Sequence, residues 1–235
     1  MKVLFAGPSL PDARDYLLED IQLRPPAAKG DVYRAIVDGA TVIGLIDGYF
    51  EQTAAVWHKE ILFALSRGVT VMGAASMGAL RAVECARYGM IGIGKIFERF
   101  RLEHSMDDAD VAQVHGPPET GYIALSEPLV NIVFTLHAWL EQNLVSAEDA
   151  DELRRAAQAC YFKDRTWRRV ILATRLFESR QGYLLALARD AKVNQKRLDA
   201  LELIHVLLKT NPSPCSRVEW TFQSTAQWKM ATSKG

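Results

Sequence analysis

The sequence predicts an α/β fold, with a mostly parallel sheet flanked by helices in the N-terminal part and a helical C-terminal part. Three observations lead there. Short apolar runs at residues 2–6, 41–47 and 69–73 alternate with helical stretches, and such alternation favours parallel strands joined by crossover helices. The chain has 235 residues, of which 49% are hydrophobic, enough for a sizeable core. Beyond residue 129 the strand-like runs give way to helical patterning.

The elements follow in order. "KVLFA" is a strand stopped by Gly7-Pro8, and "SLPDARDYLLED" is a loop followed by a short helix. In "RPPAAKGDVYRAIVDGA" a Pro-rich loop precedes a helix that Asp31 would cap and that ends near Gly39. "TVIGLID" is a second buried strand and "GYFEQ" a loop. "TAAVWHKEILFALSRG" is a helix with Thr53 as its cap and Gly68 as its stop. "VTVMG" is the third strand and "SMGALRAVECARYG" the next helix. Ligands of parallel sheets bind at the carboxyl ends of the strands. Those ends carry Gly7-Pro8-Ser9, Asp47-Gly48-Tyr49 and Ala75-Ser76-Met77, three loops on one rim. Residues 106–131 form a long irregular segment of the kind that often carries function. The helical remainder runs to about Thr210, with caps at Ser146 and Asn194, before a polar tail with little to order it. The expected organisation is a core over residues 1–125, a helical part over 126–210, and a poorly ordered tail over 211–235.

Composition excludes several function classes. Lys plus Arg and Asp plus Glu both total 28, which argues against general nucleic-acid binding. Cys85, Cys160 and Cys215 are far apart and lack zinc-ligand spacing, as expected of a reduced cytoplasmic protein. No apolar run approaches the roughly 18 residues of a membrane span, and the N-terminal text lacks a signal-peptide core. Gly89, Gly92 and Gly94 match no nucleotide-binding pattern, and the acidic cluster Asp107, Asp108 and Asp110 lacks the rest of a calcium loop. Neither a metal nor a cofactor is expected.

The chemistry centres on Ser76. Ala74-Ala75-Ser76-Met77-Gly78 approximates the G-x-S-x-G elbow, with alanine at the first glycine position. Small neighbours let the chain turn sharply from strand to helix and leave the hydroxyl exposed. The N–H groups of Met77 and Gly78 then lie at a helix N-terminus, where an oxyanion can bind. Serine is also a favoured N-cap, so the pattern alone leaves cap and nucleophile both open. A nucleophilic serine needs a base. Lys59 has apolar helical neighbours in Ala55, Leu62 and Phe63. Burial there would free its amine, whereas snorkelling would keep it in water. His58 and His115 are rival bases, and Asp47 would orient His115 in a Ser76/His115/Asp47 triad. Arg81 is spaced to pair with Glu84 or to face the rim and hold an acidic partner.

Together, "FAGPSLP", "RPPAAKGDVYRAI", "IGLIDGYFE", "VWHKEILFALSRGV", "GAASMGALRAVE", "GMIGIGKIFE", "HGPPETGY" and "LSEPLVNI" resemble the TfuA-like family. The resemblance is close over about residues 3–132 and looser to about 180, through "YFKDRTWRRV". It implies sulfur transfer. TfuA-like proteins act beside YcaO enzymes, which activate peptide backbone amides with ATP, and together they install thioamides in ribosomal peptides or proteins. It further implies hydrolysis of the C-terminal thiocarboxylate of a ThiS-like sulfur carrier, releasing sulfide for the YcaO partner, and help in engaging the peptide. The family's Ser–Lys pair falls, by motif position, on Ser76 and Lys59. Around that pair Met77 and Gly78 are the expected oxyanion donors. Asp47, Gly48, His58, Arg81 and His115 are the expected supporting or partner-binding residues. A non-catalytic adaptor and an ordinary esterase with His115 as base are the competing readings. The chain departs from the family pattern at "NIVFTLHAW", apolar where members often carry an arginine, and again beyond Asn211.

Overall fold

A computed structural model of the chain describes residues 1–51, 53–103, 107–211 and 220–232. Five strands form one parallel sheet: β1 Lys2–Phe5, β2 Ile21–Arg24, β3 Val42–Leu45, β4 Thr70–Ala74 and β5 Ile91–Ile93. Their order is β2-β1-β3-β4-β5, so the direction of winding reverses between β1 and β3. Loops leaving a parallel sheet on either side of such a reversal diverge and open a crevice at the carboxyl ends. β1, β3 and β4 are the three strands expected from the sequence. β2 and β5 are edge strands, short and only partly buried, and their text ("IQLR", "IGI") lacks a run of core residues.

The two faces of the sheet are covered by different parts of the chain. β1 shows the alternation, sending Val3 and Phe5 to one face and Leu4 and Ala6 to the other. Right-handed crossovers put the connections after β2, β3 and β4 on a single face. There α1 Asp31–Val37, α2 His58–Ser66, α3 Met77–Cys85 and α4 Gly94–Leu102 bury Val32, Ile61, Ala79 and Ile96. The β1–β2 connection crosses the opposite face with only a short 3-10 turn at Ala13–Tyr16. That leaves most of the second face to be covered from elsewhere. α9, Gln195–Lys209, fills it with Ala200, Leu203, Ile204 and Leu207 packed on Leu4, Ile46 and Met72.

α9 runs antiparallel to the strands. Near its end, the Leu207 and Leu208 carbonyls accept from Lys2 Nζ at the start of β1, each at 3.0 Å. Near its beginning, the Asp199 carboxylate accepts the Lys95 and Ile96 N–H groups at 3.1 and 2.7 Å, capping α4 just after β5. The N-terminus of α9 therefore stands at the carboxyl rim of the sheet. Between α4 and α9, α5 Leu129–Glu141, α6 Ala147–Ala159, α7 Trp167–Leu172 and α8 Glu178–Asp190 form a helical layer. They close on their own cluster around Leu136, Trp139, Leu153 and Ile171. By packing, α9 belongs with the sheet rather than with that layer.

Local expectations fare unevenly. Ser146 caps α6 by accepting from Asp149 N–H, and Asn194 caps α9 by accepting from Arg197 N–H. Asp31 is the first residue of α1 rather than its cap, and Gly30 takes the cap position with φ 95°. α2 starts at His58, not near Thr53, because residues 54 and 55 are engaged with the 28–29 segment: Lys29 N–H donates to Ala54 O and Ala28 bridges to Ala55. A poorly ordered tail is not what residues 220–232 form. There α10, Ala226–Thr232, buries Trp228 against Tyr33, Phe63 and Phe222, and Trp220 donates to the Tyr88 carbonyl. Aromatic burial, not polar composition, decides that segment. Residues 212–219 and 233–235 lie outside the described residues. No helix among the described residues is long and apolar enough to cross a membrane.

Candidate functional site

The crevice at the winding reversal is a cavity of about 480 Å³. Ser76, Met77, Asp47, Gly48, His115 and Lys196 all line it.

Ser76 reaches it through a strained backbone. The Ser76 N–H donates to Ala74 O at 2.8 Å across Ala75, whose φ is 66°. That i to i+2 bond over a positive φ is the uncommon γ-turn, costly for a residue with a side chain. Ser76 itself has φ −125° and ψ −126°, and its carbonyl accepts from Ala79 and Leu80 as α3 begins. It thus occupies the cap position with its backbone, but its side chain makes no capping bond. Among the described residues the hydroxyl has no hydrogen-bond partner. An unpartnered hydroxyl that opens onto a cavity is free to meet a ligand.

The two expected oxyanion donors separate. The Gly78 N–H is already donated, to the Ile46 carbonyl at 3.1 Å, so it does not serve the cavity. The cause is close packing: a Cβ on Gly78 would stand 1.8 Å from Leu45 O, and the bare glycine lets α3 press its first turn onto β3. The Met77 N–H has no partner among the described residues. Gly48 supplies a second N–H with no partner among the described residues. Asp47 O and Tyr49 N–H both bond to Ala27 on one edge, so the Gly48 amide faces the other edge, while the Gly48 Cα packs close to the Met77 side chain.

Asp47 accepts three hydrogen bonds. One carboxylate oxygen accepts the Gly7 and Ser9 N–H groups at 2.9 and 3.0 Å, and the other accepts the Ser9 hydroxyl at 2.6 Å. It ties the ends of β1 and β3 together across the crevice. His115 also lines the cavity, but its Nδ1 lies 2.7 Å from the Gly116 carbonyl. A carbonyl only accepts, so Nδ1 carries a proton there, and in the neutral ring Nε2 is the acceptor. Asp47 therefore does not orient His115, and the Ser76/His115/Asp47 triad is not assembled.

Lys59, the lysine expected beside Ser76, is not among the residues of the cavity wall; its ammonium lies 4.8 Å from the centre of the Phe222 ring. Its helix begins one residue earlier, so Ala55 is not a helical neighbour, and the tail provides an aromatic face for the cation. His58 and Arg81 lie behind the site. His58 Nε2 and Arg81 Nη1 both meet Glu84 at 2.7 Å, and Arg81 Nε donates to Val56 O. The Arg81–Glu84 pairing expected from spacing is present, and with His58 it fixes α2 to α3.

Sequence reasoning passed over Lys196. It sits in the first turn of α9 and is only 2% exposed, with Nζ donating to Val111 O at 2.9 Å. Burial pulls its pKa below the usual lysine value, while the charges of Asp47 and Glu127 push the other way. The signal was available. In "NQKRLDALELIHVLL", Lys196 precedes Ala200, Leu203 and Leu207 on one helical stripe, so it falls on the buried face. At the solvent edge Lys163 pairs with Glu51 at 2.5 Å. Among the described residues no group of three His, Cys, Asp or Glu side chains is placed to hold a metal.

No curated protein matches the chain. One family model does, described as TfuA-like protein, over residues 47–166. The match starts at the aspartate that ties β1 to β3 and takes in Ser76, Met77 and His115, and with about half of the sequence inside it the chain belongs to the TfuA-like protein family.

Proposed function

We propose that this protein is a serine hydrolase that cleaves the C-terminal thiocarboxylate of a ThiS-like sulfur carrier and supplies sulfide to a YcaO enzyme for backbone thioamidation. The observation that carries the reading is the Ser76 hydroxyl, held on a γ-turn without a partner among the described residues and opening onto a cavity that Met77 and Gly48 also line. Hydrolases with a nucleophile elbow draw their oxyanion donors from the residue after the serine and from a neighbouring strand–helix loop. Met77 and Gly48 occupy corresponding places here. The oxyanion donor pair in this reading is Met77 with Gly48, not Met77 with Gly78.

The chemistry balances without a cofactor. Ser76 Oγ attacks the thiocarboxylate carbon, and the oxyanion forms against the two amides. The C–S bond breaks, the serine proton leaves with the sulfur as hydrosulfide, and the carrier remains as an ester on Ser76. Water then releases the carrier as a carboxylate and restores the hydroxyl.

A docking role on the YcaO enzyme and its peptide fits the same family and is supported by exposed apolar side chains, Phe177 at 87% exposure among them. Hydrolysis of a thiocarboxylated carrier by the isolated protein separates the readings. Ser76→Ala is expected to abolish sulfide release while still binding the YcaO partner. Undiminished release by that variant would remove Ser76 from the reaction, and no release by the wild type would leave the docking role alone.

A further inference from the structure

Residues 112–118 line the cavity in an unbroken run. Within it His115 forms an antiparallel bridge with Ala124. The flanking bonds run from Gly116 N–H to Ile123 O and from Leu125 N–H to Val114 O, each at 2.8 Å. In that pattern the bridged pair is the non-hydrogen-bonded one, so the N–H and C=O of His115 point away from the 123–125 segment. Those of Gln113 share that side, because Val114 between them turns its own N–H to Ser126 Oγ and its C=O to Leu125 N–H. None of these main-chain groups of Gln113 and His115 has a partner among the described residues. Ile123, Ala124 and Leu125 are exposed and stand outside the cavity wall, so the open edge of the pair is the one on the cavity side. An open strand edge is a template for another strand.

We propose that the 113–115 edge takes the C-terminal tail of the substrate protein as an added β-strand and so feeds its reacting end to Ser76. The inference deepens the hydrolase reading and rests on it for the identity of the tail. The size of the cavity points to this route. About 480 Å³ is the volume of a small-ligand site, and a folded protein cannot enter it. The thiocarboxylate must arrive on an extended end of chain. Such an end brings its own main-chain N–H and C=O groups out of water, and they need partners. Gln113 and His115 offer both kinds of group at strand spacing. Pro117, next in the same register, has no N–H, so the row of donors stops at His115. Main-chain pairing of this kind fixes the register of the tail whatever its side chains, while the surrounding surface adds selectivity. Phe50 and Phe162, packed edge to face with ring centres 5.9 Å apart, supply apolar surface in the same cavity.

The test uses the full chain and a fluorescent peptide copying about the last six residues of the ThiS-like carrier, roughly 20 Å when extended and ending in the free carboxylate. Binding is read by fluorescence anisotropy. Each main-chain nitrogen of the peptide is methylated in turn, with wild-type protein throughout. The losses should alternate along the peptide. Amides that face the edge lose about tenfold or more, since each removes a hydrogen bond and leaves a carbonyl of the edge unmet, and those between them change by less than about threefold. On the protein side, His115→Pro lacks the N–H yet breaks no bond within the chain, and it should bind the peptide about 3- to 10-fold more weakly than His115→Ala. Melting temperatures check both variants, and if the proline variant does not fold the methylation series decides. Methylation effects that are uniform or absent, equal affinity of the two folded variants, or a peptide that does not bind the wild type overturns the added strand. A shift from dimer to monomer in His115→Pro with unchanged peptide affinity gives the edge to a second copy and likewise overturns it. Carrier hydrolysis by wild type and Ser76→Ala is measured alongside. Hydrolysis without alternation keeps the hydrolase reading and removes the strand, whereas alternation without hydrolysis keeps the strand as a binding site and removes the hydrolase.

Discussion

The seat of α3 on β3 gives the sharpest quantitative test of the site's construction. Gly78→Ala adds one methyl at a point where the ideal Cβ lies 1.8 Å from Leu45 O and 2.6 Å from Leu45 C. A carbon normally stays about 3.3 Å or more from a carbonyl oxygen, so the helix must retreat by roughly 1.5 Å. Both opposing atoms are backbone, and no side chain can swing aside. Overpacking of this kind costs about 1–3 kcal/mol. The retreat also breaks the Gly78 N–H bond to Ile46 O, worth about 1 kcal/mol, which roughly offsets the helix propensity gained from alanine. A net loss of about 1–3 kcal/mol lowers the melting temperature by roughly 2–12 °C in a chain of this size. Ser76 stands two residues away on the same turn, and a displacement of about 1 Å at a reacting group costs on the order of 100-fold in rate. Thermal denaturation followed by circular dichroism reads the first effect, and carrier hydrolysis or fluorophosphonate labelling reads the second. Gly182→Ala in α8 is the control, because nothing lies within 4 Å of its added Cβ. That variant should gain up to about 1 kcal/mol. Equal melting temperatures and equal Ser76 reactivity for Gly78→Ala and wild type would refute the close seating and the geometry built on it.

Two further outcomes follow from buried groups. Lys196 has its folded pKa below the unfolded value of 10.5, so between the two the unfolded chain binds more protons and stability rises with pH until both forms are neutral. Lys196→Met should remove that rise. Urea denaturation at neutral and alkaline pH checks it, and equal slopes against pH in both proteins would refute it. Cys85 has its thiol pushed up to about 11 by burial first and by the Glu84 charge second. In a Cys215→Ser background at pH 8, a disulfide reagent should modify the half-buried Cys160 and leave Cys85 silent until denaturant is added. Rapid native labelling of Cys85 would mean that α3 does not pack as described.

The sequence made the central part of this architecture legible because the three inner strands are continuous apolar runs closed by Gly-Pro, Asp-Gly and small residues. It hid the edge strands, where half-buried positions relax the pattern. Ser76 was visible through its small neighbours, yet whether it caps or reacts turned on a side-chain direction that no local pattern encodes. The fate of Gly78 was hidden for a similar reason. Its amide is taken by a carbonyl from another strand, a contact set by how deeply α3 seats. Lys59 and Lys196 are the instructive pair. Both are lysines next to apolar helical positions, and periodicity alone ranks them alike. What separates them is tertiary: Phe222 from the tail draws Lys59 outward, while α9 carries Lys196 under Val111.

The path of α9 explains why a residue so late in the chain belongs to the site. Right-handed crossovers in the order β2-β1-β3-β4-β5 load α1, α2 and α3 onto one face and leave the other nearly bare. Covering Leu4, Ile46 and Met72 is a requirement of folding before it is one of chemistry. Any helix that does so antiparallel to the strands presents its N-terminus at the carboxyl rim, where the winding reversal has already opened a crevice. A lysine in that first turn is buried by the same packing that buries the sheet. The matched family segment, 47–166, ends before α9 and begins after β1. The cavity joins both sides of that boundary, since Pro8 from the first loop and Lys196 from the last long helix line it together with Asp47. Stability of the sheet and the electrostatics around Ser76 are therefore set by one helix, and its burial cannot be weakened without altering both.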